Sequence, residues 1–264
     1  MNSIRIINFL LVFLLIFMLG CANNPSGHNR GVSNKEITQD EKINMHLIRG
    51  AHFGDLKMIN EALDNGADIH WKTSGQSAIH HAVIFQNPEA LTLLISRGAN
   101  PNQLEDAKDN KLHPLFYSAM HRNLKITKIL IDAGAKDSSD NGEYYSLSIA
   151  LDKQQVPMVR LLLERGFSPN FIFAFSNDIT PLMGSLINKN NEIFDLLLKY
   201  KADVNAKSDK NFTALHIAAD YKNVHAIKQL LKAGAITNIK DHKGRTAEDI
   251  LKSLGLSELL KYKK

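Results

Sequence analysis

The chain has 264 residues, 44% of them hydrophobic and 22% charged, a balance that excludes a disordered chain and suffices for a buried core. Its net charge of +5 is dispersed, with no basic block longer than Lys261-Tyr262-Lys263-Lys264, so nothing demands nucleic acid. A single cysteine, Cys21, excludes an intramolecular disulfide, and an exported domain must be held by its core alone.

Taken in order, the chain opens with Arg5 and then an apolar run, Ile6 to Leu19, broken only by Asn8 and closed by Gly20-Cys21. A membrane span needs roughly 20 apolar residues. This shorter run has the layout of a secretory signal, with a transmembrane anchor and a stray cysteine as the alternative. Met18-Leu19-Gly20-Cys21 resembles the bacterial lipobox, although that family usually has Leu where Met18 stands. The resemblance implies a signal peptide over 1–20 and a lipid on Cys21, which becomes the first residue of the mature chain. Ala22 is not the aspartate that retains Gram-negative lipoproteins in the inner membrane, so the resemblance points to the outer membrane, facing the periplasm. Residues 21–40, with Pro25, Gly27, Gly31 and several asparagines, read as a flexible tether.

From residue 41 onward two landmarks recur. The first begins at Ser77, His113, Tyr145, Thr180, Thr213 and Thr246, at steps of 36, 32, 35, 33 and 33 residues. The second is Gly66-Ala67, Gly98-Ala99, Gly134-Ala135, Gly166-Phe167, Lys201-Ala202 and Gly234-Ala235, with apolar triplets such as Leu196-Leu197-Leu198 before it. A fixed period of this length marks a solenoid. The segment 211–238, NFTALHIAADYKNVHAIKQLLKAGAITN, resembles the ankyrin repeat throughout, and the resemblance covers about 41–264.

The resemblance implies an all-α ankyrin-repeat solenoid of helix-turn-helix repeats with β-turn loops, about five full repeats between two caps. Approximate repeats are 41–71, 72–107, 108–139, 140–174, 175–207, 208–240 and 241–264. Elementary physics agrees with it. Thr180 and Thr213 suit helix N-caps, and Pro181 suits a first helical position. Ala82, Ala119, Ala150, Ala218 and Ala219 permit close helix packing, and the leucine triplets supply a buried stripe. Glycine suits the left-handed residue closing each second helix, so Lys201 in that place predicts the most strained cap.

Catalytic and metal readings find little support. The eleven histidines include His80 and His216 in the motif slot, where the resemblance implies imidazoles that knit neighbouring repeats. His80 and His81 are adjacent on a helix and diverge by roughly 100°. His216 and Asp220 offer two ligands where zinc needs three or four. Gly75-Gln76-Ser77-Ala78-Ile79 lacks the closing glycine of a nucleophile elbow. No cofactor and no enzymatic activity are expected.

What remains is a binding surface for a protein partner. In ankyrin proteins partners meet the loop tips and the inner face of the first helices. The matching positions nominate Trp71, Phe85, Met120, Tyr144, Phe212, Tyr221 and Arg245, the residue types that dominate interface energies. Phe171-Ile172-Phe173-Ala174-Phe175 puts five apolar residues where the family has a polar turn, so Phe171, Phe173 and Phe175 are expected to present an apolar patch to a partner, the alternative being a loop folded back on the solenoid. The expectation is a monomeric, lipid-anchored interaction module of the cell envelope, a scaffold or accessory protein. The alternative is a periplasmic immunity protein that neutralises a toxin or lipase.

Overall fold

The computed structural model describes residues 38–106, 112–136, 145–173 and 178–263. They belong to the compact unit Thr38–Lys264. Cys21, Tyr144 and Phe175 lie outside the described residues.

Helices come in antiparallel pairs: α1 (Gln39–Phe53) with α2 (Leu56–Asp64), α3 (Ala78–Ile84) with α4 (Pro88–Ser96), α5 (Pro114–Met120) with α6 (Leu124–Asp132). They continue as α7 (Tyr145–Asp152) with α8 (Val156–Glu164), α9 (Pro181–Ile187) with α10 (Asn191–Lys199), α11 (Ala214–Asp220) with α12 (Val224–Lys232). Last comes α13 (Ala247–Ser253), followed by a 3-10 helix (Ser257–Tyr262). The odd-numbered helices stack on one another as one layer and the even-numbered helices as a second. Before α3, β1 (Lys72–Thr73) and β2 (Gln76–Ser77) form a short antiparallel hairpin, with Lys72 opposite Ser77.

Local chemistry starts these helices where they start. Thr180 Oγ1 accepts the Met183 N–H at 3.3 Å and Thr246 Oγ1 accepts the Asp249 N–H at 3.0 Å. At Ser77 and Thr213 the hydroxyl meets the ring Nδ1 of the histidine three residues on, at 3.0 and 2.9 Å. Pro114 and Pro181 take first positions, where a missing N–H costs nothing. The second helices are capped by Asp55, Asn123, Asn190 and Asn223, each accepting the N–H three residues on at 3.0–3.1 Å.

Packing follows from residue size. Ala82, Ala119, Ala150 and Ala218 are fully buried between first helices, close enough that a larger side chain has no room. Leu94, Leu130, Leu162, Leu197 and Leu230, one on each second helix from α4 to α12, are fully buried between the layers. After each of those helices the chain reverses: the Ala235 N–H donates to Leu230 O at 2.9 Å across Gly234, which has φ +87°. Lys201 does the same work at φ +68°, and the Ala202 N–H donates to Leu197 O at 2.9 Å.

Neighbouring repeats are also tied by side-chain amides. Asn102 Nδ2 donates to Gly134 O at 3.1 Å while its Oδ1 accepts the Lys136 N–H at 2.7 Å. Asn170 does this for Lys201 and Asp203, and Asn205 for Gly234 and Ile236. On the outer face each step between second helices from α2 to α10 carries opposite charges, Arg97 on Asp64, Lys125 on Glu89, Arg165 on Asp132 and Arg160 on Glu192, and at the step from α10 to α12 His225 Nε2 lies 2.8 Å from Asp195 Oδ1. These pairs are solvent-exposed and worth about 0–1 kcal/mol each.

Candidate binding surface

The turn that closes each first helix places one side chain at its C-terminal end in the same register. Phe53 is the last residue of α1, and Phe85, His121, Asn188 and Tyr221 are the cap residues of α3, α5, α9 and α11. Each turn is tight, and the following residue (Gln86, Arg122, Lys189, Lys222) sits in the left-handed region. Phe53 is 69% exposed, Tyr221 49%, Ile187 41% and Phe85 36%, values that buried aliphatic and aromatic side chains do not show.

The N-terminal end of this strip is a ring cluster. The His52 and Phe85 ring centroids are 3.6 Å apart, His52 and Phe53 4.6 Å, and His81 stacks on Phe85 at 5.9 Å. Burial, then the facing His52, pushes the His81 pKa down to about 4, and burial, then Lys153, lowers His121. The His81 ring is therefore neutral at pH 7. Towards α11 the strip turns charged: Lys189 Nζ lies 5.9 Å over the Tyr221 ring.

Of the residues nominated from sequence, Phe85 and Tyr221 lie on this strip and exposed. Met120 is half-buried against the core at the end of α5, and Trp71 is likewise half-buried before β1. Phe212 is half-buried, edge-on to His216 at 6.0 Å and to His242 at 5.4 Å. Trp71 and Phe212 are therefore less open than Phe85 and Tyr221, because their rings pack on the core and on neighbouring side chains. Arg245 is committed inside its own loop: Nε and Nη2 donate to Asp241 Oδ2 at 3.0 and 2.8 Å. Its carbonyl lies 3.3 Å from His216 Nε2, the inter-repeat tie expected of that imidazole.

The described residues 171–173 correct the expectation of an apolar patch at Phe171 and Phe173, while Phe175 lies outside the described residues. Phe171 is 7% exposed and Phe173 half-buried, their rings edge-on at 5.1 Å, and only Ile172 points out, at 49%. An extended segment alternates its side chains, so two of these three turn inward. The Phe173 N–H donates to Ile179 O at 3.2 Å, which folds the segment back, and Gly184 on α9 leaves room for the Phe173 ring.

His52 and Phe53 were not singled out in the sequence, because residues 43–70 lack the first landmark. Phe53-Gly54-Asp55 aligned on Phe85-Gln86-Asn87 is the signal that places Phe53 in the register of Phe85. Among the described residues no group of three or more His, Cys, Asp or Glu side chains is placed to hold a metal ion. Nor is any described helix long and apolar enough to cross a membrane.

Stacked helix pairs with one ladder of outward side chains define a repeat protein built for contact along its length. The family model of ankyrin repeats (three copies) matches residues 46–141, 86–172 and 173–241, and the chain belongs to the ankyrin repeat family. It is 28% identical over 222 residues to a palmitoyltransferase homologue of Danio rerio, covering 82% of this chain and 34% of that one. It is 27% identical over 201 residues to the B-cell lymphoma 3 protein homolog of Mus musculus, covering 74% and 44%. The chain thus spans less than half the length of these curated relatives. Among solved structures it resembles the ankyrin repeat domain of Bcl-3, with a TM-score of 0.68 at 24% identity over 82% of this chain and 97% of that chain. The all-α repeat fold expected from the two landmarks is thereby established, and with it a module of the protein-binding type.

Proposed function

We propose that this chain is an exported, lipid-anchored scaffold or accessory protein of the cell envelope that binds a protein partner and performs no chemistry of its own. The observation that carries the binding role is the shared register of Phe53, Phe85 and Tyr221, exposed at the ends of three first helices, with Ile187 exposed one residue before that register on α9. A repeat stack brings such positions into a continuous strip. The lipobox resemblance around Cys21 supports the anchor, and Ala22 supports the outer membrane, facing the periplasm.

Two measurements test this reading. Cys21→Ser is expected to give an unprocessed or soluble species that no longer enters the detergent phase with membrane proteins; unchanged size and partition would remove the anchor. Affinity capture on the full-length protein, read by mass spectrometry, is expected to return one dominant protein. Phe85→Ala and Tyr221→Ala are each expected to weaken that binding tenfold or more, about 1.4 kcal/mol. If both variants bind as wild type does, the strip is not the partner site.

A further inference from the structure

Although its charged residues are interspersed, the chain's net charge is unevenly divided along its length. Residues 38–188 hold 14 basic against 17 acidic residues, a net −3, whereas residues 189–264 hold 15 basic against nine acidic, a net +6. The structure gathers part of that excess at one place. Lys228 and Lys232, one turn apart on α12, place their Nζ atoms 5.3 and 5.5 Å from the Tyr262 ring centroid, and Lys261 places its own at 5.5 Å. Three ammonium groups therefore stand around one phenol ring. Lys199 joins them across the open groove of about 420 Å³ between α10 and α12, which it lines together with Lys232 and Gln229.

The steps from α2 to α10 each set Arg or Lys against Asp or Glu, and the step from α10 to α12 sets His225 against Asp195. At the last step, from α12 to the 3-10 helix, cations face an aromatic ring and another cation. Among the described residues Lys199, Lys228, Lys232 and Lys261 make no ion pair; Asp195 in the same groove is taken by His225, and Glu258 on the 3-10 helix pairs with none of them. Ring faces offset part of the mutual repulsion. The remainder calls for anions from outside the chain.

We propose that this face, built from Lys199, Lys228, Lys232, Lys261 and Tyr262, docks on an anionic lipid surface. The choice of a membrane over an acidic protein rests on the form of the site. It is an open cluster in which exposed Lys199, Lys232 and Lys261 and half-buried Lys228 surround a half-buried tyrosine, with no enclosed pocket to fix a partner's shape. Clusters of lysines beside an amphipathic ring suit a charged interface, where each lysine adds about fivefold in affinity. The docking does not rest on the lipid at Cys21.

The test uses residues 38–264, which contain the whole core from Leu47 to Leu259. Sedimentation with vesicles of phosphatidylcholine and phosphatidylglycerol, 7:3, is expected to carry the protein down at 50 mM salt and release it at 500 mM. Pure phosphatidylcholine vesicles are expected to leave it in solution. The Lys228→Gln/Lys232→Gln/Lys261→Gln variant, checked for an unchanged circular dichroism melt, is expected to bind roughly 100-fold more weakly. A charge-matched control, Lys42→Gln/Lys57→Gln/Lys136→Gln, is expected to bind as wild type. Equal losses in both variants, or no binding to the acidic vesicles, overturn the proposal. So does tighter binding to poly-L-glutamate than to vesicles, which would assign the face to an acidic protein. If the triple variant melts early, Tyr262→Ala and the single lysine variants give the same reading one group at a time.

Discussion

Glu105 is a carboxylate only 5% exposed, held between two donors: Tyr117 Oη at 2.6 Å and Gln76 Nε2 at 3.2 Å. Burial, then the bond to Glu105, pushes the Tyr117 phenol well above its ordinary range, so it remains a donor wherever the protein folds. Tyr117→Phe removes that donor and leaves the acid buried, and is expected to cost about 1–3 kcal/mol, read as a lower urea midpoint at unchanged slope. A shift near zero would mean that water replaces the phenol. The imidazoles give a second, signed expectation. Burial, then the charges of Lys72 and His81, holds the pKa of fully buried His80 down to about 4, and His81 lies at a similar value. A folded value below the unfolded 6.5 means that the unfolded chain binds more protons between pH 4 and 6.5. Stability is therefore fully present above pH 6.5 and is lost as pH falls towards 4. His81 Nδ1 is buried without a hydrogen-bond partner among the described residues, so His81→Phe removes a titrating group and keeps a ring against Phe85. Its stability is expected to fall less steeply between pH 6.5 and 5, by up to about 1.4 kcal/mol per pH unit. An identical slope would show that His81 titrates alike folded and unfolded.

Turns and caps are where single elements are decided. Gly75 and Gly234 both adopt positive φ, +84° and +87°, yet their surroundings differ. A Cβ on Gly234 meets nothing within 4 Å, so Gly234→Ala carries backbone strain alone, about 1 kcal/mol. A Cβ on Gly75 stands 2.9 Å from Asp106 O, the residue whose N–H donates to Gly75 O at 2.9 Å. Gly75→Ala is therefore expected to destabilise clearly more than Gly234→Ala, with the β1–β2 hairpin displaced from the next loop. Lys201, a side chain in the same left-handed cap, supplies the inverse: Lys201→Gly is expected to raise stability by about 0.5–1 kcal/mol. Chemical denaturation of the three variants orders them, and a Gly75→Ala cost no larger than that of Gly234→Ala would contradict the contact with Asp106. The caps were legible because each needs one residue type in one place: Ser77 and Thr213 before a helix, glycine or Lys201 after one. Phe171, Phe173 and Arg245 were not legible. Their setting depends on which way an irregular loop turns and on Asp241 reaching Arg245, and neither leaves a period in the sequence.

The order of the whole stack was readable for the reason that makes it a stack: each repeat solves the same packing problem, so Ala82, Ala119, Ala150 and Ala218 recur at one structural place. The strip was half readable, since Phe85 and Tyr221 follow the landmark whereas His52 and Phe53 lie in a repeat that lacks it. The same repetition governs how the molecule comes apart. Helices pack chiefly on their own partner and on the equivalent helices of adjacent repeats, so stability is local to a unit plus its two interfaces. Leu251 on α13 and Leu147 on α7 are both fully buried, and truncating either to alanine removes about 2–5 kcal/mol of local packing. Their consequences are expected to differ in extent. Leu251 belongs to the last described unit, which packs on one neighbouring repeat among the described residues, so Leu251→Ala is expected to speed amide exchange across 246–262 and leave α3 to α8 unchanged. Leu147 stands in the middle, where α7 packs against both α5 and α9, so Leu147→Ala is expected to lower protection on both sides, through α5 and α6 as well as α9 and α10. Hydrogen exchange read by mass spectrometry separates the two cases, because a freely opening terminal unit exchanges without global unfolding. Uniform acceleration of every helix in Leu251→Ala would show that the repeats open as one cooperative unit, and nearest-neighbour coupling would then be the wrong account of this stack.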